Sequence, residues 1–277
     1  MIKEEIAKEF KEHGWVLVKG VFSKDEIEEL RGKVEATRAN GHLGDVLSNS
    51  LLNKLLYDVR LIDIFKNMLP GQPVYFGDGN FLLDNKDYGF HKDNPDRNDP
   101  NGPDWEGDYN IFRAGIYLQN HAKYSGGVLL RDKSFKSIST RVGKSFNVPI
   151  EPGDVAVWNL RTTHSGNAKL FKLFPGIIIN PKYYGLIPKF LFKSQKKKRI
   201  GIFLTIAREG KNLDRYLQYL KSRQYAVAYW QNSVYNPEII AKAEQNGLKI
   251  LDMHEEVKNI DVKTLNYQHK DIPYQTV

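Results

Sequence analysis

The chain has no cysteine, which excludes disulfides, thiolate zinc sites and cysteine nucleophiles. It has no apolar run approaching the length of a membrane-spanning helix, and the opening Met1-Ile2-Lys3-Glu4-Glu5 lacks the uninterrupted apolar core of a signal peptide. A cytoplasmic protein is expected from those two features. A third absence is local: between positions 155 and 208 there are eleven Lys and Arg but no Asp or Glu. The rest of the chain carries 30 basic and 33 acidic residues, so the whole formal charge of +8 arises in that stretch.

What is present divides into a helical opening and an extended middle. Apolar residues at Ile2, Ile6 and Phe10 have helical spacing, and Gly14 stops that helix before a short strand, Trp15-Val16-Leu17-Val18. Ser23 with Glu26 three residues on forms a capping-box pattern at the start of a second helix, whose face carries Ile27, Leu30 and Val34. Two shorter helical stretches, 51–57 and 61–68, lead to Pro70-Gly71. From Val74 the period becomes extended: 74–76, 80–83, 112–118, 128–130, 146–148 and 155–158 read as short strands separated by Gly, Asn, Asp and Pro. That pattern predicts a mainly β sandwich or jelly roll. A further strand over 199–206 and helices over 213–223 and 237–246 complete the pattern, and 277 residues are enough to bury a large core.

Gly89-Phe90-His91-Lys92-Asp93 places an imidazole and a carboxylate two residues apart, on one side of an extended chain. A His-x-Asp pair alone is common and equally describes a surface turn. Its partner is His164, expected at the end of the strand that follows the turn Glu151-Pro152-Gly153-Asp154. Two imidazole nitrogens and one carboxylate oxygen can occupy one face of an octahedral Fe(II) and leave the other face open. The polar loop 94–108 directly follows the pair and is placed to cover it.

These segments together resemble the phytanoyl-CoA dioxygenase family, within the Fe(II)- and 2-oxoglutarate-dependent oxygenases. The run from His13 to Ser23 leading into the helix at 25–31 is similar to the family's opening, Ser125-Gly126-Gly127-Val128 to its central Gly-Gly turn, and 151–167 to its second-histidine strand. The likeness extends over about 4–223. It implies a double-stranded β-helix, with a dioxygenase domain over 1–223, a basic apolar insertion at about 171–198, and a helical extension over 224–277 packed on the same domain. It also implies His91, Asp93 and His164 as iron ligands, 2-oxoglutarate and O2 as co-substrates, and hydroxylation of an unactivated C–H bond with release of succinate and CO2. A jelly-roll member that only binds a ligand or a protein is the alternative, and the intact triad counts against it.

For the distal carboxylate of 2-oxoglutarate the resemblance points to an arginine, because a planar guanidinium holds a carboxylate through two hydrogen bonds. Arg199 is that candidate, although it lies 35 residues after His164 and so requires the insertion. Without an insertion the anchor would be Lys172. Asn80 and Ser165 are weaker candidates for the same co-substrate. The segment Arg131-Asp132-Lys133-Ser134-Phe135 departs from the family's pattern after the Gly-Gly turn, so an acyl-CoA substrate is not implied. Asp93 argues for hydroxylation or desaturation, since halide-transferring relatives lack that carboxylate. His13, His121, His254 and His269 fall in no ligand pattern and read as surface or structural groups, Trp158 reads as core, and Tyr88, Phe90, Trp105 and Tyr117 are pocket candidates.

The insertion mixes Phe174, Ile177, Tyr183, Tyr184 and Phe190 with lysines. Pro175, Pro181 and Pro188 oppose one regular amphipathic helix, so a lid or an oligomer contact is expected. Peripheral contact of 174–198 with an anionic bilayer is the alternative, each lysine contributing about 1 kcal/mol. The positive field suits a small anionic or lipid-linked substrate, and no nucleic-acid recognition motif accompanies the charge.

Overall fold

A computed structural model describes residues 3–68, 70–83, 89–195 and 197–265. Ile2, Tyr88, Lys196 and His269 lie outside the described residues.

Two sheets face each other. The larger has the order β1 (Trp15–Val18), β6 (Val155–Asn159), β3 (Ile111–Tyr117), β8 (Ile200–Arg208), β2 (Pro73–Leu83) and β9 (Lys249–Ile250); the smaller has the order β5 (Ser145–Asn147), β4 (Gly127–Arg131), β7 (His164–Ala168). This is the double-stranded β-helix expected from the sequence, in an open form whose sheets do not close into a barrel. All pairings are antiparallel except β9, which adds to β2 in parallel and brings the C-terminal part of the chain into the larger sheet.

Strand alternation separates two cores. On β3, Phe112, Ala114 and Ile116 point outward and pack beneath helices α1 (Lys3–His13), α2 (Lys24–Ala39) and α3 (Val59–Met68), in one cluster with Ile6, Phe10, Ile27, Val34, Leu61 and Phe65. Tyr117 instead faces the smaller sheet and is buried with Val128, Leu130, Trp158 and Phe203. The capping box of α2 is present as read, Ser23 Oγ accepting from Glu26 N and Glu26 Oε2 accepting from Ser23 N.

Three elements depart from the sequence reading. The runs at 74–76 and 80–83 are one strand, β2, whose register shifts between Tyr75 and Gly79, with Gly77 at φ +71 inside the bulge. His164 does not end the strand over 155–158; it opens a separate strand, β7, after the turn at 160–163. The sequence His164-Ser165-Gly166-Asn167-Ala168 shows no apolar alternation, and it is extended because it pairs with β4. The C-terminal region holds α4 (Lys211–Lys221), α5 (Gln224–Gln231), α6 (Pro237–Gln245) and α7 (Met253–Val257), with β9 between the last two.

Candidate metal centre

His91 belongs to no longer strand; it forms an isolated antiparallel bridge with His164. Two residues on, Asp93 N donates to Leu160 O at 2.9 Å, so the turn after β6 holds this stretch at a second point. Lys92 between them turns the opposite way and is buried, its Nζ donating to Ser134 O at 2.8 Å and Arg161 O at 2.6 Å. The anchored lysine leaves both flanking ligands on one side. Burial, then Arg161 and Arg131, push its ammonium down to about 7.

One ligand atom from each of His91, Asp93 and His164 lies within 4.8 Å of the others, and they are the only such His/Asp/Glu group among the described residues. His164 Nε2 is 3.4 Å from Asp93 Oδ2 and His91 Nε2 is 3.7 Å from Asp93 Oδ1. His91 Nδ1 lies 2.9 Å from Gly89 O and His164 Nδ1 3.1 Å from Thr162 O. A carbonyl only accepts, so each Nδ1 carries the proton and each Nε2 keeps a lone pair facing the carboxylate. Burial pushes His164 down to about 4 against the pull of Asp93, so its imidazole is neutral at pH 7. Burial works to raise the Asp93 carboxyl, but His164, Arg113, His91 and Arg97 outweigh it and hold it well below the usual carboxylate range. Two imidazole Nε2 atoms and one ionised carboxylate on one side form the donor set that suits non-haem Fe(II).

The cations around Asp93 were not singled out by the sequence reading. Arg113 sits on the inward face of β3, its Nη1 3.4 Å from Asp93 Oδ2 and its Nη2 3.3 Å from Asp78 Oδ2. Asp78 reaches it because the β2 bulge re-aims that side chain. Tyr216 of α4 donates to Asp78 at 3.4 Å. Arg97, on the loop after Asp93, donates to Tyr219 Oη at 2.7 Å, and Arg215 pairs with Asp96 at 2.6 Å, so α4 fastens the loop 94–108 over this end of the sandwich. An arginine between Phe112 and Ala114, on the inward phase of an otherwise apolar strand, was the available signal for Arg113.

The structure divides the co-substrate candidates. Asn80 lies with Asp78, Tyr225 and Tyr229 around a cavity of about 110 Å³ between β2 and helices α4 and α5, and its Oδ1 has no partner among the described residues. Ser165 pairs with Leu129 on the outer face of the smaller sheet, whereas His164 pairs with the inward Leu130, so alternation turns Ser165 away from the triad. Lys172 is exposed on the 171–198 segment. Arg199 is buried at the start of β8, donating to Gly126 O and lying 5.7 Å over the Tyr117 ring. Arg113, beside the metal ligands, pairs with Thr205, six residues beyond Arg199 or about 20 Å of strand. Buried rings occupy that interval: Trp158 lies 5.6 Å from His164, Phe203 6.1 Å from Trp158, and Tyr117 5.5 Å from Phe203. Arg199 and the triad are therefore not brought together.

Phe90 packs beneath the Arg131 guanidinium at 4.4 Å, and Trp105 donates to Asp96 O at 2.9 Å. Neither contact is to the ligands. His13 pairs with Asp132 at 2.6 Å and His121 is buried against Gln119 at 2.6 Å, both apart from the triad.

The fold brings His91, Asp93 and His164 together as a candidate mononuclear metal site. No family model matches the sequence, and no curated protein matches it. Solved structures do match in fold. HygX from Streptomyces hygroscopicus, with nickel and 2-oxoglutarate bound, is 14% identical with a TM-score of 0.54, covering 75% of this chain and 87% of that one. SnoN, a non-heme alpha-ketoglutarate-dependent epimerase from nogalamycin biosynthesis, is 16% identical with a TM-score of 0.51, covering 74% and 81%. The nickel complex of the non-heme monooxygenase ThoJ is 13% identical with a TM-score of 0.51, covering 73% and 76%. At these identities the likeness establishes a shared jelly-roll fold, and the phytanoyl-CoA dioxygenase resemblance rests on the sequence motifs.

Proposed function

We propose that this chain is an Fe(II)- and 2-oxoglutarate-dependent dioxygenase that hydroxylates an unactivated C–H bond of a small anionic substrate, releasing succinate and CO2. The observation that carries the reading is the convergence of His91, Asp93 and His164 with both Nδ1 atoms turned to backbone carbonyls. Fe(II) at such a site, joined by 2-oxoglutarate and O2, supplies an oxidant strong enough to take hydrogen from carbon. The chain's own residues hold the ligands in their metal-binding protonation states. They also set the local charge: Arg113 and Arg97 balance Asp93 and Asp78, so the charge of a divalent metal is left over and a dianionic keto acid cancels it.

Arg113 is the arginine beside the ligands, and in this reading it replaces Arg199 as the group that meets the co-substrate. Asn80 lines the cavity that Asp78 borders, and in this reading its amide nitrogen donates to the same molecule. Two imidazole nitrogens and a carboxylate also suit other divalent metals, so the co-substrate is the discriminating test. Anaerobic addition of Fe(II) and 2-oxoglutarate to the intact protein should give a weak metal-to-ligand absorption toward the red, absent with either alone. A folded, iron-loaded protein that shows no such band excludes this function. Substrate-stimulated succinate formation across a panel of small anions then identifies the reaction.

A further inference from the structure

Thirteen large hydrophobic side chains are exposed among the described residues, and seven of them fall within one stretch: Leu173, Phe174, Ile177, Tyr183, Leu186, Phe190 and Leu191. Leu173, Leu186 and Phe190 are 80%, 81% and 69% exposed. The remaining six are scattered through the chain, as isolated surface hydrophobics normally are.

The stretch is pinned rather than trailing. Its two ends meet in a bridge between Phe171 and Phe192, Lys172 N donates to Leu191 O at 2.9 Å, and Lys193 N donates to Leu170 O at 2.7 Å. Tyr184 and Phe192 pack inward, edge to face at 6.0 Å, in one cluster with Leu129 and Ala168 on the outer face of the smaller sheet. Short 3-10 turns at Pro181–Leu186 and Lys189–Leu191 lift the intervening side chains outward. The prolines that rule out a continuous helix thus give a preformed set of apolar tips.

Lysines surround those tips. Lys172, Lys182 and Lys189 are exposed, Lys193 is half-buried, and none of the four forms a salt bridge with a described residue, whereas Lys197 is paired with Glu28 at 2.8 Å. Beside Leu186 a groove of about 580 Å³ is lined by Ser125, Lys169, Lys189, Lys193 and Ser194, a set of donors that fits a phosphate. The composition distinguishes two kinds of partner. The cores of protein interfaces are depleted of lysine, because its ammonium is costly to desolvate and its chain costly to order. At a lipid surface the same residue keeps its ammonium among the headgroups while bulky apolar neighbours enter the acyl boundary.

We infer that the 171–198 segment is a docking surface for an anionic phospholipid bilayer, with the tips at Phe174, Leu186 and Phe190 inserted and Lys172, Lys182, Lys189 and Lys193 facing lipid phosphates. The inference does not depend on the metal chemistry, and neither does its test.

The full chain is sedimented with vesicles of phosphatidylcholine alone and of phosphatidylcholine mixed with phosphatidylglycerol. Binding is expected to the mixed vesicles, to weaken steeply with added salt, and to fall on the order of fivefold for each lysine charge removed. The Leu186→Ser/Phe190→Ser pair should bind more weakly on the same vesicles, and Lys172→Glu/Lys182→Glu/Lys189→Glu should not bind. These side chains are exposed, and unchanged cooperative unfolding of the variants confirms that the fold is kept; a single Phe174→Ser substitution serves if either set unfolds. Equal binding to neutral and anionic vesicles, or none to either, overturns the inference. So does concentration-dependent self-association without lipid that Leu186→Ser/Phe190→Ser abolishes, since the surface would then join copies of this chain.

Discussion

His91 and His164 are held to each other by their own backbones: His91 N donates to His164 O and His164 N to His91 O, both at 2.9 Å, and the ring centroids stand 4.3 Å apart. The separation of the two imidazoles is therefore set by a strand pairing, before any metal arrives. Such preorganisation means that little conformational freedom remains to be lost on binding. Removing a ligand should cost more than the roughly 10–100-fold that loss of a supporting group costs. His91→Ala, Asp93→Ala and His164→Ala are each expected to lower Fe(II) affinity by more than about a hundredfold. Equilibrium dialysis under anaerobic conditions measures it, and a variant that keeps full affinity removes that residue from the site.

Lys92 offers a separate test of the support behind the ligands. Lys92→Met keeps the buried stem but removes the donor to Ser134 O and Arg161 O. Regained desolvation offsets part of the loss, leaving a destabilisation of about 1–3 kcal/mol. Fe(II) affinity should fall roughly tenfold. Urea unfolding and metal titration of the same preparation separate the two effects, and unaltered metal affinity would show that the lysine serves only the fold.

The two arginines should behave oppositely toward 2-oxoglutarate. Arg113→Met is expected to raise its dissociation constant by at least about tenfold, the roughly 1.5 kcal/mol or more that a hydrogen bond to a charged group contributes. Arg199→Met should lower stability, because Arg199 is buried against Gly126 and Tyr117, and leave co-substrate affinity unchanged. The reverse pattern would return the anchor to Arg199 and require Trp158 and Phe203 to move.

Asp45 gives the fold a pH dependence of its own. Its carboxylate is buried, accepting from Tyr75 Oη at 2.5 Å, Gly79 N at 2.8 Å and Tyr235 Oη, and burial raises it to about 7 despite those donors. An unfolded aspartate titrates near 4, so the folded state binds the extra proton between those values. Stability from this group is complete below about pH 4 and is lost as pH rises toward 7, by up to about 1.4 kcal/mol per unit. Asp45→Asn should flatten that part of the stability curve in urea unfolding between pH 4 and 7. Parallel curves for the two proteins would place the pH dependence elsewhere.

Ser23→Ala removes the cap of α2 and should lower stability by about 1 kcal/mol, read as a shifted denaturant midpoint with an unchanged slope.

Local signals carried much of the fold. The Ser23/Glu26 box, the apolar runs at Trp15–Val18 and Val155–Asn159, and the Gly153 turn state their own conformations. What needed distant partners was hidden: β7 is a strand only because β4 lies beside it, and β9 is two residues long. Helix α5 opens at Arg223 with no side-chain cap, so nothing in its sequence announces the start. The triad was legible because His91 and Asp93 stand two residues apart and the family resemblance joins them to His164. Arg113 and Asp78 were not, because their roles depend on a bulge in one strand and on the inward phase of another.

The stack of Trp158, Phe203 and Tyr117 has a consequence for how this protein can change. By filling the space between the sheets it carries much of the packing, and under the proposed function it leaves selectivity to the loop 94–108 and helices α4 and α5. Under the proposed function, changes in the loop that keep Asp96, Arg97 and Asp104 should retune what the site acts upon at little cost to the sandwich, whereas trimming Phe203 would lose about 3–5 kcal/mol of folding stability.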